Sequence, residues 1–146
     1  FNLRDFAKII FGTLLLKKSE CDGTPRHCRL WIHEVLRVIG DRLTDNQDRM
    51  WMLTKVRELS KSVFNVGFDE IMKHLDLDGD GKVQTLEELR NLVFGDMMAE
   101  PAAPNRAYAE CMDIAALQAK VEAHLESYNQ MSNKRMDLVC FLYMLE

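Results

Sequence analysis

The fold of this 146-residue chain is decided by residues 24–43, which read T-P-R-H-C-R-L-W-I-H-E-V-L-R-V-I-G-D-R-L. Thr24 followed by Pro25 is typical of a helix start, because threonine caps free N–H groups and proline suits the first helical position. Apolar residues then recur at helical spacing, which predicts one buried stripe along a helix. The predicted stripe consists of Cys28, Trp31, Ile32, Val35, Leu36, Ile39 and Leu43.

Helical patterns continue on both sides of this stretch. Upstream, Asn2 followed three residues later by Asp5 predicts a helix start. Downstream, Thr44 and Gln47 have capping-box spacing, and Gly67 stands where a helix-ending glycine is expected. The predicted apolar faces are Phe6, Ile9, Ile10 and Leu14 in the first of these helices, and Trp51, Met52, Val56, Leu59 and Val63 in the second.

The rest of the chain is also expected to be helical. Short helices are predicted at 68–75 and 86–94, on either side of an acidic loop, and Asp113 can cap a later helix that breaks at 128–135. No segment shows convincing strand-like alternation, so we expect an all-α fold.

One segment reads as a linker between two domains. Residues 99–107 contain Pro101, Pro104 and several alanines, a composition typical of a connecting loop. We therefore expect a helical domain at 1–98 and the beginning of a second domain at 108–146. The chain starts without a methionine and stops inside an apolar run, so it reads as an excerpt of a longer protein.

Composition excludes several classes of partner. The net charge of −4 arises from 19 basic and 23 acidic residues that are interspersed, so no basic stripe favours nucleic acid. The longest apolar stretch, 9–16, is shorter than the roughly 18 residues of a membrane span. Four cysteines without a C-x-x-C pair, and no signal peptide, indicate reduced thiols in a cytoplasmic protein.

Residues 76–87 read D-L-D-G-D-G-K-V-Q-T-L-E and satisfy every position of the EF-hand pattern D-x-[DN]-x-[DN]-G-x5-E. Calcium takes about six to eight oxygen ligands, and alternate residues of a tight loop can direct their oxygens to one centre. Gly81 permits the sharp turn. The predicted ligands are Asp76, Asp78, Asp80, the backbone carbonyl of Lys82, Gln84 directly or through water, and the two carboxylate oxygens of Glu87.

Two other interpretations of this loop stay open. An EF-hand usually works as one of a pair, and the chain has no second copy of the pattern, so a lone loop could hold Mg²⁺ in place of Ca²⁺. The loop could also be an acidic, glycine-containing turn that only joins two helices.

Motifs for catalysis are absent. His33 and Glu34 begin an H-E-x-x sequence, but Arg37 stands where a zinc protease needs its second histidine, so these residues are expected at the polar edge of a packed helix. No phosphate-binding G-x-x-x-x-G-K-[ST] loop and no G-x-S-x-G nucleophile elbow occur. We predict no catalytic residue and no nucleotide hydrolysis by this segment alone.

Several motifs resemble one family. They are F-N-L-R-D-F at 1–6, R-L-W-I-H-E-V-L-R-V at 29–38, D-R-L at 41–43, F-G-D-M at 94–97, E-S-Y-N-Q-M-S from 126 and M-D-L-V from 136. In this order they resemble a dynein heavy chain of the axonemal type. The resemblance implies the helical lid of the third AAA+ module, followed by the opening helices of the fourth.

The resemblance also implies a function. The parent chain would be an ATPase motor that moves along microtubules in the axoneme of cilia and flagella, binding ATP or ADP only within the full ring. Its partners would be the other AAA+ modules of the same heavy chain and, through distant parts, microtubules. Arg4 would be a sensor-type arginine directed at nucleotide, although pairing with Asp5 or exposure to solvent is an equal alternative.

The EF-hand-like loop departs from this family pattern and reads as an insertion. A calcium input into the ring and a chance acidic turn both account for it. The rival interpretation of the whole chain is a stand-alone EF-hand calcium sensor that regulates a partner. The missing second hand argues against that rival.

Overall fold

The computed structural model describes residues 1–76, 78–99 and 106–138. Side chains at the helix starts cap free backbone N–H groups, so local sequence sets where these helices begin. Asn2 and Asp5 form the expected capping box: Asn2 Oδ1 accepts from the backbone N–H groups of Arg4 (2.9 Å) and Asp5 (3.2 Å), and Asp5 Oδ2 accepts from the Asn2 N–H (3.0 Å). The helices are α1 (Leu3–Leu14), α2 (Gly23–Val38), α3 (Asn46–Ser62), α4 (Phe68–Ile71), α5 (Leu86–Leu89) and α6 (Ile114–Met131).

Several helix boundaries differ from the prediction, among them those of three long helices. Helix α2 begins at Gly23, one residue before the expected cap Thr24, and Gly23 has a positive φ of 81° that glycine adopts without strain. Helix α3 begins after Asp45, whose carboxylate accepts from the Gln47 N–H at 2.6 Å, so Asp45 and not Thr44 is the cap. Helix α6 continues through the predicted break at 128 and ends at Met131.

Helix α2 lies at the centre of the fold. One core cluster joins it to α3, α4, α5 and the segment after the acidic loop, and Cys28, Leu30 and Ile32 of α2 are fully buried within it. The predicted stripe is therefore right at Cys28 and Ile32, whereas Trp31, Val35 and Leu36 are only partly buried. The other core members are Leu53, Val56, Phe68, Ile71, Met72, Leu75, Val83, Leu86, Leu89, Leu92 and Phe94.

Helix α1 buries only Ile9 of the four apolar residues predicted for its buried face. It contacts α2 through a narrow stripe of Asp5, Ile9 and Gly12. Phe6 and Leu14, which were expected in the core, are 61% and 75% exposed. The small Gly12 allows the backbone of α1 to lie close to α2, and this close approach selects the buried face.

The segment after the acidic loop corrects the expectation that no strand forms. The predicted helix at 86–94 ends at Leu89, and Val93–Gly95 forms strand β1, which pairs antiparallel with β2 at Ala109–Cys111. Val93 is opposite Cys111 and Gly95 is opposite Ala109. Because the partner strand comes from beyond the expected linker, local periodicity cannot reveal this pairing.

The fold is thus mostly helical, as predicted, with one small two-stranded sheet in the described residues. The domain boundary predicted within 99–107 stays a prediction, and residues 100–105 and the final apolar run from 139 lie outside the described residues. In the described part, no helix combines the length and the apolarity that a membrane span requires. Cys21, Cys28 and Cys111 are free thiols.

Candidate functional site

The acidic loop forms a turn in which carboxylates accept backbone hydrogen bonds. Asp76 Oδ1 accepts from the Gly79 N–H and Oδ2 from the Gly81 N–H, both at 2.8 Å. Asp78 and Asp80 each accept from a residue two positions later, at 3.1 Å and 2.8 Å. Gly79 and Gly81 have φ of 77° and 83°, so the glycines of the motif occupy the left-handed conformations that the turn requires.

Three of the predicted metal ligands lie together. One carboxylate oxygen from each of Asp76, Asp78 and Asp80 lies within 4.8 Å of the other two. Backbone hydrogen bonds, above all from Gly81, lower the pKa of Asp76. The turn therefore concentrates carboxylates and keeps the first of them ionised, which suits a hard cation.

The other predicted ligands do not belong to the cluster of three aspartates. Gln84 donates its side-chain amide to Asp80, next to the cluster. Glu87 lies outside the cluster: its side chain is 61% exposed, and its carboxylate forms an ion pair with Arg49 Nη1 at 3.8 Å. Lys82, proposed as a backbone ligand, is exposed. A bound cation would need Glu87 to turn from Arg49 toward the three aspartates.

The middle of the loop is anchored to the helices. Val83 is 1% exposed and belongs to the main core. Its carbonyl accepts from Arg57 Nη2 of α3 at 2.6 Å, and its N–H donates to Asp69 Oδ1 of α4 at 3.3 Å. Arg57 and Asp69 also form an ion pair with each other. Side chains of the same chain therefore satisfy both backbone groups of Val83, and no second loop is required to hold it.

Arg4, the candidate nucleotide sensor, is exposed on the first turn of α1. The alternative in which Arg4 pairs with Asp5 is not the arrangement found, because the Asp5 carboxylate contacts Arg42 Nη1 at 3.1 Å. The backbone hydrogen bond from Asn2, followed by Arg42, holds the pKa of Asp5 below its ordinary value. The guanidinium of Arg4 is therefore left accessible to a partner.

Glu34 is not at a polar edge, as the sequence had suggested, but fully buried in α2. Its carboxylate accepts from Arg37 Nε at 2.7 Å and from the Tyr108 hydroxyl, also at 2.7 Å. The Glu34 carboxylate also lies against the backbone of Gly12 on α1. Burial, together with the hydrogen bond to Glu34, raises the pKa of Tyr108 far above its ordinary value. This one carboxylate thus joins three segments of the chain.

His33 is buried as well. Burial lowers its pKa and outweighs the opposing effect of the neighbouring Glu34, so the imidazole is neutral. His33 Nδ1 lies 2.8 Å from the carbonyl of Leu92, and its ring contacts Phe94 with centroids 5.6 Å apart. His33 therefore positions the segment that leads into β1, and its neighbours offer no zinc site.

A second buried carboxylate, Glu110 of β2, lies next to two arginines and a histidine. Arg29 of α2 donates to it through Nε and Nη2, each at 2.7 Å, and the Glu110 side chain is 2% exposed. His74 Nε2 lies 3.5 Å and Arg26 Nε 3.9 Å from the carboxylate. Burial alone would raise the pKa of Glu110, but hydrogen bonds from His74 and Arg29 outweigh it and lower the pKa.

Neither buried carboxylate was expected from the sequence. For Glu34 a signal existed: Leu30, Glu34 and Val38 recur every four residues, and all three are buried. For Glu110 no local signal exists, because its partner Arg29 is 81 residues away along the chain.

Comparisons with known proteins find similarity along the whole chain. A family model described as the AAA+ lid domain matches residues 1–77. Mus musculus dynein axonemal heavy chain 12 is 42% identical over 147 aligned residues, which cover 100% of this chain and 5% of that protein. Mus musculus dynein axonemal heavy chain 3 is 36% identical over 146 residues, covering 100% of this chain and 4% of that protein.

A third relative, Homo sapiens dynein axonemal heavy chain 1, is 26% identical over 142 residues, which cover 97% of this chain and 3% of that protein. The chain therefore spans one twentieth or less of the length of these relatives. The resemblance that the sequence motifs indicated is confirmed. The acidic loop begins where the lid match ends.

Proposed function

This chain belongs to the AAA+ lid domain family, and on that premise we propose that it is the lid segment of an ATP-driven dynein heavy chain that moves along microtubules in cilia or flagella. The observation that carries the proposal is the 42% identity to an axonemal dynein heavy chain over the whole chain. A lid contributes contacts and motion to a nucleotide site, so the segment itself needs no catalytic residue.

The exposed face of α1 supports a place within a larger assembly. Leu3, Phe6, Ile10 and Leu14 follow helical spacing and are 42% to 85% exposed. Such an apolar surface usually contacts another part of a protein. We propose that its partner is another AAA+ module of the same heavy chain.

Arg4 is the proposed nucleotide contact. It is exposed at the start of α1, and Asp5 beside it is occupied by Arg42. In the full-length polypeptide that carries this sequence, Arg4→Ala should weaken nucleotide binding at the module that holds this lid by about tenfold, the effect of losing one charge-assisted hydrogen bond. Lys8→Ala, on the same exposed surface, is the matched control. Equal affinities in the parent and Arg4→Ala would remove Arg4 from the nucleotide site.

A second function, cation binding by the acidic loop, is supported by the close approach of Asp76, Asp78 and Asp80. We propose Ca²⁺ as the ligand, with Mg²⁺ as the alternative, because the oxygen-rich turn suits both ions and the larger one tolerates irregular geometry better. On binding, Gln84 and Glu87 would move toward the cation and complete its ligand set. The loop would then let calcium regulate the motor.

Calorimetric titration with each ion tests this second proposal. Calcium should bind with Kd in the range of about 10⁻⁷–10⁻⁵ M, as in sensor EF-hands, and Glu87→Gln should weaken binding by removing the bidentate ligand. Glu58→Gln is the control, since Glu58 is a similarly exposed carboxylate that pairs with Lys55 on α3. An absence of heat with both ions, or a Glu87→Gln titration like that of the parent, would make the loop a connector.

A further inference from the structure

Helix α2 holds residues 108–110, beyond the expected linker, through two hydrogen-bonded side-chain contacts. The first is the double hydrogen bond from Arg29 to Glu110, with both distances 2.7 Å. A guanidinium that meets a carboxylate through two parallel bonds restricts orientation as well as distance. Because the side chain of Glu110 is 2% exposed, little solvent competes for this contact.

The second contact lies two residues earlier in that segment. The Tyr108 hydroxyl donates to the fully buried Glu34 at 2.7 Å, and Arg37 neutralises the same carboxylate. The Tyr108 ring stacks on Phe94 with centroids 6.4 Å apart, and Phe94 in turn contacts His33. Tyr108 is therefore held by polar and aromatic neighbours that α2 positions.

The spacing of the two contacts matches. Arg29 and Glu34 are five residues apart on a helix, a rise of about 7.5 Å. Tyr108 and Glu110 are two residues apart in extended chain, about 6.7 Å. The segment thus runs alongside α2 in the opposite direction, attached at both points.

In the described residues after Tyr108, the contacts with the rest of the chain include a small sheet and a separate apolar cluster. The β1–β2 ladder is three residues long on each strand, and an isolated pair of short strands is marginally stable. Leu117, the buried residue of α6 in the described part, packs with Val93 and Cys111 in a small separate cluster. Lys120 of α6 also donates to the Met98 carbonyl at 2.9 Å. The position of α6 therefore depends on the β1–β2 pair and the residues beside it, and β2 is held by β1 and by side chains of α2.

We propose that α2 connects the lid mechanically to the residues that follow 107. Arg29–Glu110 and Glu34–Tyr108 are the positioning contacts through which lid motion reaches β2 and α6. The proposal rests on the proposed lid function. The connection runs through side chains of α2 and bypasses the covalent route through 99–107. A rotation of the lid would then move the start of the following segment as one unit with α2.

Amide hydrogen exchange in the full-length polypeptide that carries this sequence tests the proposal. Without nucleotide, the double variant Glu110→Gln/Tyr108→Phe should exchange at least about tenfold faster at 109–111 and in the first turns of α6, as expected when two charge-assisted contacts are weakened or lost. Exchange in α2 and α3 should change less than about twofold. The matched control is Lys55→Gln/Glu58→Gln, which breaks an exposed ion pair on α3. Unchanged exchange at 109–111 in the double variant would overturn the proposal.

A second arm compares exchange with and without an ATP analogue. In the parent, the nucleotide response of the lid should extend to 109–111 and α6, and in the double variant it should stop at α2. A response that reaches α6 equally in both proteins would overturn the connection. If residues 1–76 of the parent show no response to nucleotide, the proposed lid function fails. The comparison of parent and double variant without nucleotide still tests whether the two contacts position residues 109–111 and α6.

A milder variant guards against general unfolding. If the double variant loses protection in α2 and α3 as well, Tyr108→Phe alone keeps the Arg29–Glu110 pair and removes one hydrogen bond. It should raise exchange at 109–111 by about threefold with α2 unchanged. Exchange at 109–111 equal to that of the parent would then overturn the role of Tyr108.

Discussion

Two groups of carboxylates in this chain are held in opposite ways. The side chains of Glu34 and Glu110 are buried. Glu110 accepts from Arg29 and Glu34 from Tyr108, each distant in the sequence, and Arg37 on the same helix also donates to Glu34. Asp76, Asp78 and Asp80 lie close together at the surface, where backbone N–H groups within five residues hold them.

The difference separates stability from binding. A buried carboxylate that loses its partner has no water to replace it, so the fold carries the cost. An exposed carboxylate that is removed is replaced by water, so the fold is affected little, while a cation loses a ligand. Mutations in the two groups should therefore change different measurements.

The largest effect is expected at the Arg29–Glu110 pair. Arg29→Ala leaves the Glu110 carboxylate buried with only His74 and Arg26 nearby, at 3.5 Å and 3.9 Å. We expect the free energy of unfolding to fall by about 3 kcal/mol, measured by urea denaturation. Arg135→Ala is the control, because that side chain is 77% exposed and should cost less than about 0.5 kcal/mol. Equal losses in the two variants would remove the distinction between buried and exposed carboxylates.

Gly12→Ala tests the buried group from the side of α1. Alanine normally stabilises a helix by about 1 kcal/mol relative to glycine. Here the added methyl group would overlap the Glu34 carboxylate and force it from Arg37 and Tyr108. Because breaking a buried pair costs more than the helix gains, we expect a net loss of about 2 kcal/mol in thermal unfolding.

The control for this variant is Gly67→Ala, where the new methyl group would meet the end of the Glu70 side chain at 3.3 Å, a contact that a small side-chain shift can relieve. A stabilised Gly12→Ala protein would show that Glu34 can move without cost.

The next largest effect is expected at Glu110, in the dependence of the free energy of unfolding on pH under acidic conditions. Its pKa in the folded protein lies below its ordinary value of 4.5, so the ionised form stabilises the fold. This contribution is complete above about pH 4.5 and is lost as the pH falls through the lower folded pKa. Glu110→Gln should flatten the fall in stability below about pH 4.5 in urea denaturation at several pH values. An acid limb as steep as that of the parent would contradict the lowered pKa.

The smallest effect on stability is expected in the loop. Asp78 is exposed and accepts one backbone hydrogen bond at 3.1 Å, so Asp78→Asn should change the melting temperature of the cation-free protein by less than about 2 °C. The same variant should weaken calcium binding by at least about tenfold in calorimetry, because it removes a charged ligand. A large loss of stability without calcium would show that Asp78 stabilises the fold, as Glu34 and Glu110 do.

Much of the local structure could be read from the sequence because it depends on near neighbours. The Asn2–Asp5 capping box is confirmed, and the main helices lie where the apolar spacing placed them. The turn at 76–81 forms from residues at most five positions apart. Its ability to bind a cation stays a prediction.

Other features depended on contacts that no local pattern contains. The sheet was missed because Val93–Gly95 finds its partner beyond the expected linker. The buried face of α1 was predicted correctly only at Ile9, because the absence of a side chain at Gly12 lets α1 approach Glu34 of α2 closely.

The sequence by itself determined the lid family, the helical class of the fold and the order of acidic and glycine residues in the loop, since each is encoded in contiguous motifs. Only the tertiary structure decided that Glu34 and Glu110 are buried and which residues meet them. The physical reason is desolvation: a charge is tolerated in the core only where a partner is brought to it by folding, and for Glu110 that partner lies 81 residues away.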